Sequence, residues 1–405
     1  MRQLTAYLKN NRYLIGFGFL LTFLSSFGQT FLISLYLPHI QKSFQLSDGG
    51  FSSMYAGATL LSAFTITWLG RYIDKVRLLR YVIFVMIGLV VGMAILSQAY
   101  YLPILFIGLY GLRLFGQGLL SHTAITSMAR FFDEDRGKAI SLANLGHPFG
   151  EAILPIIVVS IMYLVGWRYT LIITLSLVIL AIPYTLYLLR KNTSISQLRK
   201  YIPAPFTKEE ERESKPWKVM QSKAFWIIMP SSLLSASIGT GFLLFKLKLG
   251  LANGWSPTFI AVGFTAYAVG NAAANLIAGF LADRYSGRKM FPLYLLPAIL
   301  GFTALTIYDH EWVYIALVGG IGLSNGFGGT VKNVALAEMY GTKIIGSVRS
   351  LFTTVMVFST ALGPLVFGLM LDNGYTFTDI ALFAAILYAL FSLNALRSIR
   401  FKREE

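Results

Sequence analysis

Apolar residues in this chain come in blocks about twenty long, each ending at ionic or turn-forming residues. Uncharged runs cover 13–41, 49–70, 169–189, 290–308, 312–331, 350–371 and 380–396, close to the ~20 residues that carry a helix across ~30 Å of hydrocarbon. Two longer apolar stretches divide at turn signals, one at residues 97–103 ("SQAYYLP") and one at residues 252–257 ("ANGWSP"). With the segment around Glu151, the pattern predicts twelve helices at 13–41, 49–70, 78–98, 102–129, 138–164, 168–189, 223–250, 256–282, 290–308, 312–338, 346–371 and 377–397. This is the pattern of an all-α polytopic membrane protein.

The longest polar interruption, "RKNTSISQLRKYIPAPFTKEEERESKPWKVMQS" (190–222), holds three prolines and a block of acids and reads as a surface linker. It predicts a six-helix bundle over 1–189, a cytoplasmic linker over 190–222 and a second six-helix bundle over 223–405. The halves repeat: "WLGRYIDK" (68–75) and "IAGFLADR" (277–284) align at an offset of 209, which also pairs Gly137 with Gly346 and Pro155 with Pro364. Six helices per half keep both halves in the same direction. They are therefore expected to be related by a pseudo-twofold axis along the membrane normal, with a substrate route between them suited to alternating access.

Charge sets the orientation. Of the 34 Lys and Arg, 28 fall on one side if the N-terminus is inside, against Lys42, Arg168, Lys246 and Lys248 on the other. Basic residues near span ends are retained in the cytoplasm, so both termini are expected there, in a multi-pass plasma (inner) membrane protein. The net charge of +16 then reflects topology and does not call for a nucleic-acid partner. The chain has no cysteine, which excludes disulfides and thiolate metal sites. It also lacks the phosphate-binding Gly-x-x-x-x-Gly-Lys-Ser/Thr loop of ATP-driven pumps. No enzyme activity, cofactor or metal is expected. The partners are a small-molecule substrate, protons and the lipid bilayer, and the chain is expected to act as a monomer.

The segments "GRYIDKVRLLR" (70–80), after helix 2, and "GFLADRYSGRK" (279–289), after helix 8, resemble the Gly-x-x-x-Asp-Arg/Lys-x-Gly-Arg-Lys/Arg loop of the major facilitator superfamily. Arg77 stands at the first copy's second Gly, and the second copy has one extra residue before Gly287. The resemblance spans essentially the whole chain and implies that Asp74, Arg77, Asp283, Arg284 and Arg288 are cytoplasmic gate residues. The segment "RFFDEDRGKAISLANLGHPFGEAILP" (130–155) is loosely similar to the corresponding region of monocarboxylate and oxalate/formate porters, which carry organic anions. The family often carries an Arg on helix 4 linked to proton coupling, which this resemblance assigns to Arg113 in "RLFGQG" (113–118).

Ionisable groups inside a span cost on the order of 2.5–3.5 kcal/mol and normally face a partner or a wet cavity. Arg113 lies ~17 Å from the outer end of helix 4. On helix 5, Asn144, His147 and Glu151 are spaced i, i+3 and i+7, which puts them on one face. Glu151 is therefore the expected proton-linked acid, with Arg113 and His147 tuning it. The position matching Glu151 in the second half is Thr360, so the acid belongs to one half only, as a functional group would. Asn144, Gln29, Asn271, Asn275, Asn325, Lys332 and Asn333 are the candidate substrate-cavity residues. Lys246 and Lys248 sit near the outer end of helix 7, where a vestibule role and plain interfacial placement are not separable by sequence.

The expected function is secondary active transport of a small organic anion by alternating access, coupled to protons. An alternative is a proton-driven drug or metabolite exporter, suggested by the partly Gly/Pro-rich "GHPFG" (146–150). A more distant one is a non-transporting membrane sensor on the same fold.

Overall fold

The computed structural model describes residues 2–74, 76–132, 136–191, 212, 215–308, 310–341 and 344–401, and none of the described residues forms a strand. Among the described residues, twelve helical passes follow the apolar blocks, as the sequence predicts. Several are uninterrupted: Asp48–Leu69, Leu78–Ser97, Lys223–Ala252, Trp312–Tyr340, Ile345–Asp372 and Phe377–Ala395. The fifth and sixth passes form one run, Gly146–Arg190, broken at Gly166, where φ is 78° and ψ is 167°. Most of the predicted linker lies outside the described residues.

The sequence pattern did not show that other passes are interrupted. Helix 1 runs Arg2–Ser25, tightens into a 3₁₀ turn at Ser26–Gly28, leaves the helical region at Gln29 (ψ 150°), and resumes as Thr30–Phe44. Helix 4 is α-helical over Leu102–Gly111, widens to a π-helix over Leu112–Leu120 and returns to α over Ser121–Phe131. Such wide turns are rare and tend to sit at functional positions. The two irregularities face each other: a Cβ on Gly116 would lie 2.7 Å from Gly28 Cα, and one on Gly28 would lie 2.1 Å from Leu112 O. Backbone meets backbone here, and only glycine permits that approach.

By its internal contacts the chain divides into two compact units. The first is 1–46 with 57–203; the second is 47–56 with 204–405. Residues 47–56, the first turns of helix 2, thus belong with the second unit although the rest of that helix belongs with the first.

In the second unit, helices 8 (Pro257–Gly263 and Thr265–Tyr285) and 10 (Trp312–Tyr340) pack backbone to backbone. A Cβ on Gly322 would meet Tyr267 O at 2.2 Å, and one on Gly326 would meet Asn271 O at 2.1 Å. This contact sets the side chains of Tyr267 and Asn271 beside those of Asn325 and Lys332.

Candidate transport site

In the first unit, helix 5 packs on helix 1 through small residues. A Cβ on Gly146 would fall 2.2 Å from Thr22 Oγ1, and one on Gly150 would fall 2.2 Å from Ser26 Oγ. The close approach puts His147 between two hydroxyls: its Nδ1 is 3.4 Å from Ser25 Oγ on helix 1, and its Nε2 is 3.5 Å from Ser121 Oγ on helix 4. Asn144 ends the short helix Arg136–Asn144 one turn earlier. Its Oδ1 is buried and accepts no hydrogen bond among the described residues. Glu151 is half-buried one turn beyond His147.

Arg113 is 1% exposed. Its Nε donates to Thr59 Oγ1 of helix 2 at 3.0 Å, and its Nη1 donates to Gly28 O at 3.2 Å and Thr30 Oγ1 at 3.4 Å. The guanidinium therefore serves a carbonyl at the point where helix 1 loses its own helical bonding, an orphan group that hydrocarbon cannot satisfy. Gln29 is half-buried at the same break.

In the second unit, a cavity of about 250 Å³ is lined by Tyr267 and Asn271 from helix 8, Asn325 and Lys332 from helix 10, and Tyr294, Met356 and several serines around them. Among the described residues, Lys332 is its one charged lining residue. Its Nζ lies 3.2 Å from Met356 Sδ. Asn325 Nδ2 donates to Tyr267 Oη at 2.9 Å. The cavity brings together three of the predicted substrate residues, Asn271, Asn325 and Lys332, and leaves two aside. Asn333 turns back to donate to Gly329 O at 2.7 Å, and Asn275 is exposed and accepts from Thr330 Oγ1.

Of the predicted gate residues, the side chains of Asp74 and Asp283 lie outside the described residues. Arg77 is exposed at the start of helix 3, and exposed Arg284 lies over the Tyr285 ring at 5.3 Å. Arg288 makes the fullest contact. Its Nε donates to Glu338 Oε2 at 3.2 Å, and Glu338 also accepts from the Gly287 and Arg288 amides at 2.9 and 3.0 Å and from Ser286 Oγ at 2.7 Å. Glu338, at the end of helix 10, was missed in the sequence because a terminal acid looks like any interfacial charge.

A second missed cluster sits at the opposite end of the second unit. Lys248 pairs with Asp48, while Asp372 accepts from the Asp48 and Gly49 amides at 2.9 and 2.8 Å. The first turn of helix 2 is thus capped by a carboxylate 324 residues away. Lys246 lies two residues before Lys248 on the same helix. It is fully buried, with Nζ 4.7 Å from the centre of the Phe264 ring.

Multi-pass helices of membrane-spanning length, a discontinuous first helix and a polar cavity inside one bundle define a membrane transporter. The Major Facilitator Superfamily model matches residues 18–251 and again 232–404. The chain belongs to that superfamily, and it is a transporter rather than an enzyme. Among solved structures it is similar to a bacterial homolog of the human lysosomal transporter Spinster in an inward-facing, unoccupied conformation, with 17% identity and a TM-score of 0.68. That match covers 96% of this chain and 94% of the other. It is also similar to the nucleoside transporter NupG, with 14% identity and a TM-score of 0.70 over 97% of this chain and 99% of that one. At these identities the likeness concerns the fold. No curated protein sequence matches significantly.

Proposed function

We propose that this secondary transporter carries a small organic anion and couples its movement to protons. One observation carries the reading: among the described residues, the second unit's cavity is lined by a single charged residue, the cation Lys332, amid neutral hydrogen-bonding groups. A cation at a cavity wall inside a helical bundle favours a negatively charged occupant. About 250 Å³ is below the ~300–1,000 Å³ common for drug-sized ligands, which favours a small metabolite. Glu151, one helical turn beyond the His147 that lies near hydroxyls of helices 1 and 4, is the proton-linked acid in this proposal. Arg113 and His147 tune it.

Purified protein in proteoliposomes tests both parts. Anion accumulation driven by an imposed proton gradient should collapse with an uncoupler, and Glu151→Gln should abolish it while sparing anion exchange. Undiminished gradient-driven accumulation in that variant would refute the proton role. Anion uptake unaffected by Lys332→Gln would refute the anion site.

A further inference from the structure

The lining of the second unit's cavity is more specific than its one charge requires. Around Lys332 stand the carboxamides of Asn271 and Asn325 and the hydroxyls of Tyr267, Ser232 and Ser235, and among the described residues no carboxylate lines it. Carboxamides and hydroxyls both donate and accept hydrogen bonds, which suits groups that do the same. The two lining rings are held in place: Tyr267 stacks on Phe264 (4.8 Å, 9°), and Tyr294 stacks on Phe291 (5.1 Å, 27°). The hydrogen bond from Asn325 fixes the Tyr267 oxygen as well. Rings and amides fixed before the ligand arrives lose little freedom on binding it.

Resting on the anion reading above, we infer that the cavity takes a polyhydroxylated monocarboxylate, the sugar-acid class. The carboxylate meets Lys332, and the hydroxyls meet the Asn and Tyr groups. A plain alkyl carboxylate would strip water from these amides and hydroxyls and return nothing, and each hydrogen bond lost in this way costs about tenfold in affinity. A dicarboxylate would bring a second charge with no second cation among the described lining residues. At ~30 Å³ per water, a space of this size holds roughly eight water-sized groups, which suits a short polyol chain better than a drug-sized ring system.

Three probes with six carbons separate the contributions: gluconate, hexanoate and sorbitol, each tested for thermal stabilisation of the full-length protein in detergent and for competition in proteoliposome exchange. Gluconate should bind at least about tenfold more tightly than either of the others. Asn325→Ala should cost gluconate about tenfold and leave hexanoate unchanged, whereas Lys332→Gln should weaken both anions. Should Asn325→Ala not fold, Ser235→Ala is the substitute, with the same expectation. Hexanoate binding as well as gluconate would overturn the polyol inference and leave the anion reading standing. Sorbitol binding as well as gluconate would overturn the anion reading too. No stabilisation by any of the three would overturn both.

Discussion

Arg113 in the first unit and Lys332 in the second sit in different surroundings. In the first, the buried Arg113 guanidinium donates to Thr59, Thr30 and the Gly28 carbonyl where helix 1 breaks. In the second, Lys332 stands at the wall of a cavity, with a thioether as a close neighbour. A cation inside a membrane bundle can thus hold the fold or face a ligand, and its neighbours decide which. A carbonyl released from a helix needs a fork of donors in fixed directions, which a guanidinium supplies. A cavity that receives a solute needs only a point charge of the right sign.

This contrast can be broken experimentally. The largest effect is expected at Glu151, where Glu151→Gln should eliminate proton-driven accumulation outright, measured as the ratio of inside to outside solute at steady state. Next, Arg113→Lys should fail as a fold element. A flexible ammonium cannot serve Thr59 and Gly28 O together, and each buried group left unpaired costs about 1–3 kcal/mol. Loss of folded protein by size-exclusion chromatography would show it. Lys332→Arg should keep the fold and retain anion exchange. Equal tolerance at both positions would erase the distinction between the units. A smaller change is expected from Lys248→Ala, because Lys248 is 37% exposed and such pairs contribute about 0–1 kcal/mol. The thermal midpoint should fall by a few degrees at most. The smallest is Asn333→Ala, which removes a side chain bonded only to its own helix and should leave transport unchanged.

How much of this was legible in the sequence depended on the range of the interaction. The helical passes were legible because each apolar block obeys a local rule, bilayer thickness divided by helical rise. Asn325 and Lys332 were legible as polar residues seven apart on one helix, which fall on one face. Tyr267 escaped notice because a tyrosine among apolar residues reads as packing, although it stands four residues before Asn271 and so on the same face. Asn275 and Asn333 were picked for the same polarity as Asn271, but nearby partners absorb them. The breaks in helices 1 and 4 left no local trace. They lie where Gly28 and Gly116 meet across two helices, and hydropathy does not register a change of backbone geometry inside an apolar run. The Asp48, Lys248 and Asp372 cluster depends on residues joined only by folding.

Residues 47–56 have a consequence for how this protein can be divided. A cut in the polar segment 190–222 looks natural by sequence, yet it would separate the start of helix 2 from Asp372, which caps it, and from Gly368, where even a methyl would lie 2.6 Å from Asp48 O. The amino-terminal fragment would keep a helix end shaped for a partner on the other polypeptide. Co-expressed fragments should therefore recognise each other through that end even with the connecting chain removed, and the amino-terminal fragment alone should be the more degradation-prone product.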